Sequence, residues 1–355
     1  MPTFRTAQVT EILSERPGLQ RVRVTMPDGS DARAYSLTQL TGDCAVGDRV
    51  VVNTTAVELG LGTGGWHVVH WNLARDELVA PGPDHVMKVR YTSLQFDAGT
   101  DELAHPEVDD DLVGVPVVAC SVHSQVAVVA LAFAATAPGR RLVYVMTDGA
   151  SLPLALSDLV VQLRERELLA GTVTAGHAFG GDLEAVSVPS ALGLAVHALG
   201  ADAVVVGMGP GVVGTGTALG TTSVEVAPVL DAAAAGGGTP VLCVRASDGD
   251  ARERHRGISH HSATAARLTT SRPWVAPVPA AAAGLPGVRV ADLEPAHDPA
   301  ALLAEAGLRV TTMGRDVTKD PLFFAAAAAA GELAAAFATG AAPPQRPTGA
   351  ADRNS

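Results

Sequence analysis

Val115-Pro-Val-Val-Ala-Cys120, then Ser121-Val-His-Ser124, then Gln125-Val-Ala-Val-Val-Ala-Leu-Ala-Phe-Ala-Ala-Thr136 is the stretch on which the fold turns. Its first six residues lack the polar alternation of a strand wetted on one face, so they predict a strand buried on both. The polar residues 121–124 predict a turn and residues 126–136 a helix. The same succession returns downstream. Strands are predicted at residues 142–146, 171–175, 203–206, 241–245, 274–278, 288–291 and 308–312, and helices at 154–169, 189–199, 224–234, 262–269, 299–306 and 322–337. Apolar strands alternating with helices predict a mostly parallel α/β sandwich over residues 113–340.

Upstream, residues 1–80 break into short β-type runs separated by turn residues. Met26-Pro-Asp-Gly29 joins two of them, with Pro27 presetting φ and Gly29 supplying a positive one. These runs predict a small N-terminal antiparallel β-barrel, read as a scaffold or docking module. Residues 81–112 form a connecting segment whose acidic part, 97–111, reads as a solvated linker. The Pro-rich polar tail 341–355 is expected to be disordered.

The chain has 355 residues, 47% of them hydrophobic and only 17% charged, which excludes a disordered chain and leaves enough apolar material for two domains. With 25 basic against 37 acidic residues the net charge is −12, which repels polyphosphate backbones, and the 4% of aromatic residues leave little for base stacking. Nucleic acid is therefore not an expected partner. Two apolar stretches, 115–137 and 323–339, do not predict membrane spans: the first carries His123, Ser124 and Gln125, and the second is short and holds Glu332. Three cysteines without CxxC spacing and a start without an apolar signal segment point to the cytoplasm. Homo-oligomerisation is left open.

In an open α/β sheet ligands gather where the strands end, so the residues after each strand are the candidates. Ser124 and His123 follow the first predicted strand, Asp148 the second, and His177 and Asp182 the third. The fourth leads into Gly207-Met-Gly-Pro-Gly-Val-Val-Gly-Thr-Gly-Thr217. Gly209, Gly211 and Gly214 have GxGxxG spacing, but Pro210 and the glycines beyond prolong the loop. With Thr215, Gly216 and Thr217 it reads either as an amide nest for phosphate or carboxylate, or as a tight connection. After the fifth strand, Arg252, Arg254 and Arg256 offer an anion-receiving rim or a solvated loop. His260-His261 follow, with Ser259 as the expected N-cap of a helix whose N-terminus favours neutral imidazole.

Three chemistries are open to these residues. His123, His177, Asp182 and His260 are candidate ligands for a divalent metal, namely zinc, manganese or iron. Asp148, His260 and His261 are candidate acid/base groups. Ser124 is a candidate nucleophile without a GxSxG elbow, and its competing role is a helix N-cap. Cys120 reads as packing. His67 and His70 fall on opposite faces of a strand and cannot chelate one ion together.

Asn53-Thr-Thr-Ala-Val-Glu-Leu-Gly-Leu-Gly-Thr-Gly-Gly65, Val145-Met-Thr-Asp-Gly149, Thr172-Val-Thr-Ala-Gly-His-Ala-Phe-Gly-Gly-Asp182 and His255-Arg-Gly-Ile-Ser-His-His-Ser262 together resemble a bacterial, largely actinobacterial, family catalogued as domain of unknown function 3866. The resemblance spans most of the chain. It implies a bacterial cytoplasmic protein with no known activity, and no catalytic residues can be carried over from it. The expectation is thus an enzyme acting on a small anionic substrate by metal-assisted hydrolysis. Its alternative is a non-catalytic nucleotide or metabolite sensor that uses the same crevice and docks through the barrel.

Overall fold

A computed structural model describes residues 2–61 and 64–346. The chain divides into two compact units, Met1–Gly99 and Thr100–Ser355.

In the first unit, strands β1 (Phe4–Arg16), β2 (Leu19–Thr25), β3 (Asp31–Ser36), β4 (Arg49–Asn53) and β5 (Trp66–Asn72) close into a barrel in the order β1-β2-β3-β5-β4. All neighbours are antiparallel except β3 and β5, which pair in parallel. Alternation builds the barrel: Val22, Val24, Ala34, Val50, Val52 and Val69 point inward, while Arg23 and Arg33 between them point out. The predicted turn after β2 closes with Gly29 N–H donating to Met26 C=O at 2.9 Å, and Gly29 has φ +83°. Short helices α1 (Thr38–Thr41) and α2 (Thr55–Glu58) lie in the connections, and a ribbon of β6 (Met87–Lys88) and β7 (Phe96–Asp97) follows.

The second unit is the α/β sandwich. Strands β8 (Pro116–Cys120), β9 (Leu142–Thr147), β10 (Gly171–Ala175), β11 (Leu183–Ala185), β12 (Ala203–Met208) and β13 (Thr239–Cys243) are joined by the two-residue strands β16 (Trp274–Val275) and β17 (Arg289–Val290). The intervening β14 (Ala246–Ser247) and β15 (Gly257–Ile258) form a separate antiparallel pair. The eight-stranded order is β11-β10-β9-β12-β8-β13-β16-β17, all pairs parallel. Successive residues face opposite layers: Val118 and Cys120 pack with one hydrophobic cluster, Val117 and Ala119 with the other. The first layer holds α3 (His123–Thr136), α4 (Asp158–Glu165), α8 (Pro299–Glu305) and α9 (Pro321–Ala338), and the second holds α5 (Val188–Gly193), α6 (Val226–Ala235) and α7 (His260–Leu268). Helix α9 is long and apolar enough to cross a bilayer, yet it is a core helix with 67% of that apolar window buried. Small residues permit its close crossing of α3. A Cβ on Gly331 would lie 2.4 Å from the carbonyl oxygen of Val129.

Four expectations change. Residues 308–312 form no strand: Leu308 and Val310 alternate into the core with period two, but they pack with helices, and only Thr312 bridges, to Arg315. The single helix expected over 154–169 is a 3₁₀ turn (Leu154–Leu156) and then α4, divided where Ser157 Oγ accepts Val160 N–H at 3.0 Å. The acidic segment is not a free linker throughout, because Asp101 accepts Glu184 N–H at 2.6 Å and donates its own N–H to Glu184 C=O at 2.8 Å. The tail is ordered as far as Arg346, whose N–H donates to Val290 C=O beside a Gln345–Ala291 bridge, and its remainder lies outside the described residues.

Candidate functional site

The residues expected to share one crevice separate into three groups, each drawn to the hydrogen-bonding partners nearest it. In the first, His123 at the start of α3 holds Ser157 Oγ at 2.7 Å through Nε2 and Met208 C=O at 3.1 Å through Nδ1. The carbonyl requires an Nδ1–H donor, which leaves Nε2 to accept the serine hydroxyl. Burial pushes the His123 pKa down to about 4. Both nitrogens are occupied, so His123 is not a metal ligand. Ser124 is not the N-cap either: that position is Val122, and Gln125 Oε1 reaches back to accept the N–H groups of Val122 at 3.3 Å and Ser121 at 2.9 Å. Ser124 lines a 330 Å³ cavity with His123, Asp158, Gly211 and Arg309, but the His123 nitrogens there are engaged by Ser157 and Met208.

The second group closes loops. Asp148 Oδ2 accepts the backbone N–H of His177 at 2.9 Å. Asp182 Oδ2 accepts Thr172 N–H and Oγ1–H at 2.8 and 3.0 Å, while its Oδ1 pairs with Arg164 at 2.6 Å. Neither carboxylate joins a ligand cluster with His260. The glycine segment is a hairpin more than a nest. Thr215 N–H donates to Gly220 C=O and Thr222 N–H to Val213 C=O, and a Gly214–Thr221 bridge lies between them. Gly209 serves close packing, since a Cβ there would stand 2.6 Å from Ser151 C=O. Gly211 and Gly216 supply positive φ, and Thr215 and Thr217 hydrogen-bond to each other at 3.0 Å.

The third group is the one the fold assembles. Beyond β13 the chain makes the β14–β15 hairpin, whose 3₁₀ turn (Glu253–His255) carries His255 back over α7, where His260 and His261 lie. Ser259 is the N-cap of α7 as expected, accepting His261 N–H at 3.3 Å, and its Oγ also meets His255 Nδ1 at 2.8 Å. One nitrogen each from His255, His260 and His261 lies within 4.8 Å of the others, the one such triad among the described residues. Ring centroids are 4.4 Å apart for His260–His261 and 5.0 Å for each of the other pairs. His260 Nε2 is buried with no hydrogen-bond partner.

Arg245, only 2% exposed, donates from Nη1 to His261 Nδ1 at 3.0 Å. Guanidinium has no lone pair, so His261 Nδ1 is the acceptor and its proton is on Nε2. All three imidazoles are held neutral. Burial, then Arg245, lowers His255 to about 4 and His261 to about 3; burial, then Arg254, lowers His260. Below the triad Asp250 accepts from Arg252 and Arg315, at 2.8 and 3.0 Å. Asp320, at the start of α9, accepts from Ser247 at 2.7 Å and from Arg315 at 2.9 Å.

His255, Arg245 and Asp320 are absent from the sequence-based site. The spacing His255-Arg-Gly-Ile-Ser-His-His261 was the available signal for the first, since the short return strand β15 between 255 and 260 brings the rings together. Glu225 is a further group legible only in three dimensions. Burial raises its pKa to about 7 against the opposing Thr147 hydrogen bond of 2.6 Å, and it lines a 480 Å³ cavity with Gly149 and Leu268.

Fold and centre together define the class: an α/β protein with an imidazole–guanidinium centre beyond the C-terminal end of a central parallel strand, in a chain that also carries a closed barrel. The chain belongs to the family described as Protein of unknown function (DUF3866), which matches residues 33–331. No curated protein and no solved structure matches it.

Proposed function

We propose that this protein is a cytoplasmic enzyme that hydrolyses a small anionic substrate with the help of a divalent metal at the His255–His260–His261 centre. The carrying observation is His260 Nε2, buried and unpaired, in a triad whose rings each bring one nitrogen within 4.8 Å of the others. Leaving such an atom unpaired costs about 1–3 kcal/mol, a cost that a bound ion removes. Two lone pairs remain available: His260 would offer Nε2, and His255 its own once Nδ1–H donates to Ser259 Oγ, so the other coordination positions would fall to water and the substrate anion. Imidazole donors favour zinc or iron over manganese. When bound, such an ion supplies Lewis-acid polarisation and a more acidic water. His261, its tautomer fixed by Arg245, presents an N–H donor to the anion, and the surrounding arginines favour negative charge. The buried, unbridged cysteines are in keeping with a reducing compartment.

Metal analysis of protein purified without a histidine tag tests this. Wild type is expected to carry about one zinc or iron per chain, and His255→Ala and His260→Ala none. A wild type that neither carries metal nor shifts its melting temperature with zinc, iron(II) or manganese sinks the proposal. Ligand binding without turnover in the metal-loaded protein turns it into a sensor instead.

A further inference from the structure

Of the three arginines between β14 and β15, two are tied down. Arg252 forms a two-pronged pair with Asp250, at 2.9 and 2.8 Å, and Arg256 Nε donates to the Asp250 backbone carbonyl at 3.0 Å. Arg245 is occupied by His261. Arg254 is different: among the described residues no carboxylate or carbonyl pairs with it, and it is the residue next to His255. Its guanidinium also lies against the tip of the glycine hairpin. A Cβ on Gly216 would be 3.5 Å from Arg254 Cζ and 3.6 Å from Nη2, so the glycine leaves that side of the charge open. Gly216, with φ +85°, thereby brings the glycine loop against the Arg254 side chain, by a different route from the expected amide nest.

Resting on the metal-assisted reading above, we propose that the substrate ends in a terminal phosphoryl group, held between the His255–His260 nitrogens and the Arg254 guanidinium. Arg254 precedes His255 in the 3₁₀ turn and its charge acts on His260, so the anion assigned to it is the group at the reacting centre itself. A carboxylate in that place is an end product of hydrolysis and has no bond left to cleave. A phosphoryl group is both the anion to be recognised and the group to be transferred. In the reaction water adds its oxygen to phosphorus, the bond from phosphorus to the bridging oxygen breaks, and a proton from the water goes to the departing oxygen. The products are inorganic phosphate and the dephosphorylated remainder. Because an anion offsets the arginine charge around the imidazoles, phosphate and metal should each strengthen binding of the other.

Calorimetric titration of the full tag-free chain with inorganic phosphate, after chelation and again with one equivalent of zinc, tests the proposal. Phosphate should bind both forms, more tightly with zinc. Arg254→Gln should weaken binding at least tenfold in both forms, and Arg254→Lys should fall between. Melting temperatures of the variants in buffer without phosphate should match wild type, which separates a lost contact from a lost fold. Arg309→Gln, on the separate cavity beside Ser124, should change nothing. Phosphate affinity unaffected by Arg254→Gln, loss through Arg309→Gln instead, or acetate bound as tightly as phosphate through Arg254 would each overturn the assignment. Absence of zinc binding alongside Arg254-dependent phosphate binding would defeat the metal reading alone.

Discussion

His123 and His260 both begin helices beyond the ends of adjacent parallel strands and both are neutral, but every nitrogen of the first ring is occupied, while the second keeps a buried nitrogen without a partner. A buried polar group that is satisfied works as mortar, and one left unsatisfied inside a cluster of like donors calls for a further partner. Chemical capability is shared by the two residues. Only the hydrogen-bond accounting separates them.

The sharpest way to break this comparison is a crossed pair of substitutions. His260→Ala should weaken zinc binding roughly 100-fold or more, with little change in the melting temperature of the metal-free protein, measured by competition with a chelating dye and by calorimetry. His123→Ala should leave zinc affinity unchanged and destabilise the fold by about 3 kcal/mol in urea unfolding, because Ser157 and the Met208 carbonyl lose a partner and a cavity opens. Equal metal loss in both variants would erase the distinction.

Acid should act on the same contrast. With the His123 pKa pushed from 6.5 to about 4, the unfolded chain binds more protons between those values. The stability this residue contributes is therefore complete above about pH 6.5 and lost as the pH falls to 4, by up to about 3 kcal/mol. His123→Gln should flatten the melting-temperature profile across that window.

Ser259→Ala is smaller still. It removes the N-cap of α7 and the oxygen that orients His255, so about 1 kcal/mol of stability and roughly tenfold in zinc affinity should be lost together. Glu225 provides the weakest test and has the opposite sign. Its raised pKa means that stability is lost as the pH rises from about 4.5 and the loss is complete above about pH 7, so Glu225→Gln should raise the melting temperature at pH 8 and leave it nearly unchanged at pH 4. A loss at pH 8 would show that the carboxylate is paired in a way the geometry lacks.

The layered fold was legible because both-faces burial writes a continuous apolar signal, as at Val117, Val118, Ala119 and Cys120. The alternation of Leu308 and Val310 is equally clear and misleads, since period two records which side chains are buried and says nothing of a neighbouring ladder. At the site, His260, His261 and the Ser259 cap were readable from local spacing. His123, His177 and Asp182 do not join the imidazole triad, because position after a strand places a residue near the sheet edge but does not say which neighbours its polar atoms meet. His255 was missed for the converse reason: its return to α7 depends on the β14–β15 hairpin, whose two-residue strands carry almost no periodic signal.

The position of α9 has a consequence for biosynthesis. This helix follows all the strands of the parallel sheet in chain order, yet it packs on β8, β12 and β13, and Asp320 at its start fastens the loop that leads to the histidines. A nascent chain still lacking residues 320–338 has an uncovered sheet face and an unfastened histidine loop. Strands made early therefore remain a client for chaperones until late in translation, and a product broken off before α9 is marked for proteolysis by the apolar face it leaves bare.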